Sequence, residues 1–161
     1  MRVLDCMMGT PYYCRPENNL GSATELMWTG NCGFLPVLNA EGNVVGVITD
    51  RDICIALGTR GLAAGEVLVN GVMSQKVFLC APEDDVHLAL RIMREGHVRR
   101  LPVMAKNGTL VGVISVDDVL LRADSTATVN VGDISAQEVV DALRAINTRP
   151  LPQLIAKHVA A

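Results

Sequence analysis

Aromatic residues are scarce in this sequence: one Trp, two Tyr and two Phe among 161 residues. Any core or ligand slot must therefore be built mainly from aliphatic side chains, and each aromatic position stands out. Long apolar runs are missing as well. No stretch approaches the roughly 18 uncharged apolar residues that span a bilayer, and the opening MRVLDCMMGT carries an aspartate inside its only greasy run, unlike a signal peptide. The expectation is a soluble, cytoplasmic protein with no membrane partner. Charge is modest too, with 14 basic against 17 acidic residues for a formal −3. That balance argues against a dedicated nucleic-acid binder, although residues 91–106 gather Arg91, Arg94, Arg99, Arg100 and Lys106 against Glu95. There is no C-x-x-C pair, and the five cysteines (Cys6, Cys14, Cys32, Cys54, Cys80) sit mostly in apolar runs, as reduced core thiols do. His87, His97 and His158 lack zinc spacing, and no Walker loop, dinucleotide G-x-G-x-x-G or nucleophile elbow occurs. The chain is expected to be no enzyme and to hold no metal or catalytic cofactor.

Half of the residues are apolar, enough for a compact core, and the length allows one ordinary domain or two very small ones sharing that core. The organising feature is a repeat. At an offset of 66, residues 7–55 align with 73–121 without a gap and with 16 identities in 49 positions, against roughly 6% for unrelated sequence. Both copies contain Leu-Pro-Val (Leu35-Pro36-Val37 and Leu101-Pro102-Val103), a turn glycine (Gly42, Gly108) and Val-Gly-Val-Ile (Val45–Ile48, Val111–Ile114). Each copy predicts a short strand (Tyr12–Cys14, Val77–Cys80), then Pro-Glu opening a helix that carries Leu20, Ala23 and Met27 or Val86, Ala89, Leu90 and Met93 and ends at Gly30 or Gly96. A strand through Leu-Pro-Val, a strand Val44–Thr49 or Leu110–Ser115 and a final helix from Asp50 or Val116 follow.

The result is an α/β (α+β) architecture of two β-α-β-β-α units, each too small to bury its sheet alone, packed sheet to sheet with pseudo-two-fold symmetry. Repeat one covers 1–60 and repeat two 66–122; Glu66–Val72 reads as a short helix leading into the second. Residues 123–161 form a linker and helical extension. There Ser135 and Glu138 make a capping box for a helix with Val139, Val140, Leu143 and Ile146 on one face, prolines 150 and 152 break it, and 154–159 could add a short turn or helix.

The chemistry concentrates where the third strand of each copy meets the following helix. Thr49 and Asp52, like Ser115 and Asp118, place a hydroxyl and a carboxylate at a helix N-terminus. Such an aspartate can accept hydrogen bonds from vicinal ribose hydroxyls while the hydroxyl and helix amides favour phosphate. The same pattern is also a plain capping box. The copies differ in charge: Arg99-Arg100 precedes Leu-Pro-Val in the second, Gly33-Phe34 in the first, while Arg51 lies inside the first T-D-R-D and Asp117 takes its place in the second.

The Leu-Pro-Val segment, the turn glycine and G-V-I-T-D-R-D or G-V-I-S-V-D-D resemble the CBS domain family, here as a tandem pair over about residues 1–122, similar to small stand-alone bacterial CBS-pair proteins. The resemblance implies binding of adenosine-containing ligands (AMP, ADP, ATP, S-adenosylmethionine, NAD) in up to two clefts between repeats, within a homodimer. It also implies the walls of the base pocket: Thr10, Pro11 and Tyr12; Phe34, Leu35 and Pro36; Lys76, Val77 and Phe78; Arg100, Leu101 and Pro102. Ribose and phosphate fall to Thr49, Asp52, Ser115 and Asp118, and charge to Arg51, Arg99 and Arg100. The alternative is a structural or protein-interaction module with vestigial clefts and an unidentified protein partner.

Overall fold

The computed structural model describes residues 1–123 and 133–148. The expected turn or helix at 154–159 and the prolines 150 and 152 lie outside them. The repeat is visible in the backbone. Repeat one runs α1 (Leu20–Thr29), β2 (Phe34–Leu38), β3 (Val44–Thr49) and α2 (Asp50–Arg60), preceded by a short β1 (Met8–Gly9); repeat two runs α3 (Val86–Gly96), β4 (Arg100–Met104), β5 (Leu110–Ser115) and α4 (Val116–Leu120). Each hairpin is antiparallel, and each is bulged at the same place, Val37/Leu38 and Val103/Met104. Gly42 and Gly108 turn the hairpins at φ +84° and +82°, a conformation that disfavours any side chain.

Two expected details differ. The helices do not open at Pro-Glu but at Leu20 and Val86, where Asn19 accepts from the Ser22 amide and Asp85 from the His87 amide, both at 2.8 Å; a short side-chain acceptor caps better than proline three residues upstream. Nor do Tyr12–Cys14 and Val77–Cys80 form strands. Only Cys14 and Cys80 bridge, in parallel, to Val37 and Val103. The next rung would need an amide hydrogen from Pro36 or Pro102, which have none, so the ladder stops and Tyr12 and Phe78 are released from the sheet.

The repeats also exchange their leading segments. The Val3, Leu4 and Val86 amides donate to the carbonyls of Asp84, Pro82 and Met1, while the Val69, Asn70 and Leu20 amides donate to those of Asn18, Pro16 and Val67. Every pair is the other shifted by 66. The expected helix at Glu66–Val72 shrinks to a single 3-10 turn, Val69–Gly71, matching Val3–Asp5. β1 pairs with β5, and Ser74 bridges Val47 in the corresponding place. Val3 and Cys6 are thus buried in the core of repeat two, and Val67 and Val69 in that of repeat one. Burial pushes the Cys14 thiol up to about 11 and the Cys80 thiol to about 12, so both are protonated core residues at neutral pH.

The extension folds as α5 (Ala136–Asn147), with the expected capping box: the Glu138 carboxylate accepts from the Ser135 amide and hydroxyl at 2.9 and 2.7 Å. It lies on α3 and α4 and adds Ile134, Val139, Ala142 and Ile146 to the core of repeat two; Val140 remains exposed. Among the described residues no helix is long and apolar enough to cross a membrane.

Candidate functional site

Two clefts open between the repeats, and the offset of 66 relates them. The larger, about 690 Å³, includes Phe34, Val47, Thr49, Asp52, Ser74, His97, Val98 and Arg100. The smaller, about 130 Å³, includes their counterparts Arg100, Val113, Ser115, Asp118, Met8, Asn31, Cys32 and Phe34. Positions 34 and 100 are equivalent, and Phe34 and Arg100 each line both clefts.

The floor of each cleft is a helix start. Asp52 Oδ2 accepts from the Thr49 amide at 2.9 Å and its hydroxyl at 2.7 Å; Asp118 Oδ2 accepts from the Ser115 amide at 2.8 Å and its hydroxyl at 2.6 Å. The capping reading therefore holds in both copies. It uses one carboxylate oxygen and leaves Oδ1 without a partner among the described residues, so capping and accepting a ligand hydroxyl are compatible. Both motifs turn directly from a strand into a helix, and the helix-start amides are engaged within the protein: Asp50 and Val116 donate to the Gly33 and Arg99 carbonyls, and Asp52 and Asp118 to the Thr49 and Ser115 hydroxyls.

Charge separates the clefts. Arg51, Lys76, Arg99 and Arg100 face Asp50 and Asp52 in the larger one, a formal +2, whereas the smaller sets Arg100 against Asp118 alone. The two basic clusters that sequence leaves on different repeats thus converge in one cavity. Asp117 lies outside its lining and holds both arginines instead, at 3.3 Å from Arg99 and 4.0 Å from Arg100. These pairs are half exposed and weak, so the guanidinium groups can be drawn away.

Aromatic residues enter unequally. Pro11 and Tyr12 line the smaller cleft, with the Tyr12 ring against the end of α1; a Cβ on Gly30 would sit 2.6 Å from the ring. Phe78 packs the same way against Gly96 but lines neither cleft, and the Lys76 ammonium covers its ring at 5.0 Å from the centroid. Leu35 and Leu101 are fully buried core residues, Pro36 and Pro102 are buried beside them, and Val77 lines neither cleft. Thr10, at φ +49°, lines a separate groove between the hairpin turns. Asn31, Asp50, Ser74 and Asn147 are cleft residues that motif reading does not single out; His97, near Arg99 in sequence, lines the larger cleft as well. Asn31 and His97 are the left-handed residues after the two helices, 66 apart and unlike in chemistry, a signal the repeat alignment does contain. Among the described residues no group of three or more His, Cys, Asp or Glu is placed to hold a metal ion.

The CBS domain family matches residues 3–59 and 66–124. This chain belongs to the CBS domain family. It is 30% identical over 120 residues to the CBS domain-containing protein YhcV of Bacillus subtilis, a match covering 74% of this chain and 84% of that one. Several other curated relatives are matched over only part of their length, from 20% for the inosine-5'-monophosphate dehydrogenase of Methanocaldococcus jannaschii to 64% for a 17.7 kDa protein of Acidianus ambivalens. Among solved structures, the CBS pair of protein MJ0100 in complex with 5'-methylthioadenosine and S-adenosylmethionine superposes at TM-score 0.67 and 21% identity over 74% of this chain and 92% of that one. CBSX2 in complex with AMP does so at 0.63 and 25%, over 74% and 93%. The matched part is a CBS pair; α5 lies outside it.

Proposed function

We propose that the chain is a regulatory module without chemistry of its own that binds an adenosine-containing nucleotide, with the larger cleft as its phosphate-bearing site. The observation that carries this reading is the convergence of Arg51, Lys76, Arg99 and Arg100 with the unengaged oxygen of Asp52 in one cavity of about 690 Å³, within the roughly 300–1,000 Å³ usual for ligand pockets. Asp52 accepts from the ribose hydroxyls, the arginines take phosphate as charge-assisted donors, and Phe34 and Val47 offer apolar surface to the base. The smaller cleft, with Tyr12, Ser115 and Asp118, falls below that range and has no net charge, so it suits an uncharged adenosyl group after widening. The AMP complex of CBSX2 supports the ligand class. No catalytic cofactor or metal enters this reading.

The test is mass spectrometry of small molecules released on denaturing the purified protein, followed by calorimetric titration with AMP, ADP, ATP and S-adenosylmethionine. A stoichiometric adenosyl compound, or AMP binding with a thermal shift set by RT ln(1 + [L]/Kd), is the expected result. An empty protein indifferent to all four ligands overturns it. A second reading, the protein-interaction module, is favoured by one observation: a groove of about 540 Å³ between α1 and α2, beside which Trp28 is 87% exposed. On either reading a homodimer through this face is the proposed assembly, to be checked by light scattering.

A further inference from the structure

The larger cleft is not built by the two repeats alone. Its lining includes Asn147, the last residue of α5, which belongs to the extension outside the CBS match. Next to it stands His97, the left-handed residue that ends α3, whose Nδ1 lies 3.4 Å from the Ile146 carbonyl. The carbonyl can only accept, so Nδ1 carries the hydrogen and Nε2 is left for the cleft. The repeat supplies an internal control. Asn31 holds the equivalent left-handed position at the smaller cleft, and no residue of α5 lines that cleft. The rest of α5 is held by apolar burial of Val139, Ala142 and Ile146 on α3 and α4, so the helix is a discrete packed element with its C-terminal end at the ligand cavity.

We propose that α5 is the output element of this module: a nucleotide in the larger cleft touches His97 and Asn147, and its occupancy is thereby coupled to the docking of α5 on repeat two. The inference rests on the larger cleft being the nucleotide site. Linkage makes the coupling reciprocal, so whatever loosens the contact at the end of α5 weakens the nucleotide by the same factor. Asn147 is itself engaged, its amide donating to the Leu143 carbonyl at 2.8 Å, so its side-chain oxygen is the atom it offers to a ligand donor.

The experiment uses the whole chain with AMP as probe. Hydrogen exchange of residues 139–147 is measured with and without saturating AMP, beside calorimetric titration of the same samples, for the natural protein and for His97→Asn and Asn147→Ala. His97→Asn installs the residue found at the equivalent position of repeat one, which keeps the left-handed backbone comfortable. The expected result is slower exchange of α5 on binding AMP, and an affinity about fivefold or more weaker in both variants, with the AMP-dependent protection of α5 lost in His97→Asn. AMP binding that leaves α5 exchange unchanged, or variants that bind AMP like the natural protein, overturns the coupling while leaving the nucleotide site standing. Absence of any AMP binding removes both.

Discussion

Asp52 is asked to do two things at once, and substitution can separate them. Its Oδ2 closes the capping box of α2 with Thr49, while Oδ1 is assigned to ribose. Asp52→Ala removes both roles; Asp52→Asn keeps a carbonyl oxygen for the cap and replaces the outward acceptor by a donor. In Asp52→Ala the Thr49 hydroxyl still accepts from the residue-52 amide, so what is lost to the fold is the return bond from the Thr49 amide, about 1 kcal/mol, which lowers Tm by about 2–4 °C in a chain of this size. Loss of a hydrogen bond to a charged acceptor costs about 1.5–3 kcal/mol, roughly 10- to 150-fold in Kd. Thermal unfolding without ligand and calorimetric titration with AMP should therefore give Asp52→Ala lowered in both, and Asp52→Asn lowered in affinity with Tm close to natural. An Asp52→Asn protein that binds AMP unchanged would refute the ribose assignment. An Asp52→Ala protein of unaltered Tm would refute the capping argument.

Three further outcomes follow from the geometry. Asp117→Asn, which releases Arg99 and Arg100 from pairs at 3.3 and 4.0 Å, should tighten AMP binding a few-fold at low salt and by less at high salt, as expected for weak exposed pairs; weaker binding at low salt would mean that Asp117 orients the arginines productively. Gly112→Ala brings the added Cβ to 2.8 Å from the Met8 carbonyl oxygen, and Gly46→Ala to 2.9 Å from that of Ser74, so each should lower the urea midpoint by an amount equivalent to about 1–3 kcal/mol, and unchanged midpoints would show the exchanged segments to be loosely held. The Glu138 carboxyl is held below its ordinary value first by the Ser135 amide, then by the Ser135 hydroxyl and His87. Its stabilisation of α5 is present above the usual glutamate range near pH 4.5 and is lost as pH falls through the lowered value; Glu138→Gln should flatten that part of the acid-unfolding curve, and an identical curve would remove Glu138 from the account.

The second strand of each hairpin is legible to the residue because turn glycines and short apolar runs are local signals: β3, β5 and the starts of α2 and α4 stand where the repeat puts them, while β2 and β4 are marked only by Leu-Pro-Val, without their ends. The stopping of the first strand at Cys14 and Cys80 was written in Pro36 and Pro102, though only a known bridging register shows which rung the missing amide hydrogen removes. The exchange of residues 1–9 and 66–74 was invisible: Val3 and Val69 read as ordinary core residues, and nothing local says whose core they enter. For the clefts, the repeat located Asp52 and Asp118, but the meeting of Arg51 with Arg99 and Arg100 is a product of packing between copies. Asn147 arrives from an element that repeats nothing, so no internal comparison could have placed it.

The exchanged segments bear on how the chain is born. During synthesis repeat one receives its missing pieces, Val67 and Val69, immediately after it is made, and can close early. The arm carrying Val3 and Cys6 must wait until α3, β4 and β5 have emerged. For that interval Val3 and Cys6 have no core to enter, and exposed apolar side chains of this kind are what chaperones bind. Two chains translated side by side offer each arm a second acceptor, the neighbour's repeat two, by contacts identical to those within one chain. An intertwined dimer is therefore the characteristic misassembly of this architecture, and a low protein concentration during refolding is the condition that favours the single chain.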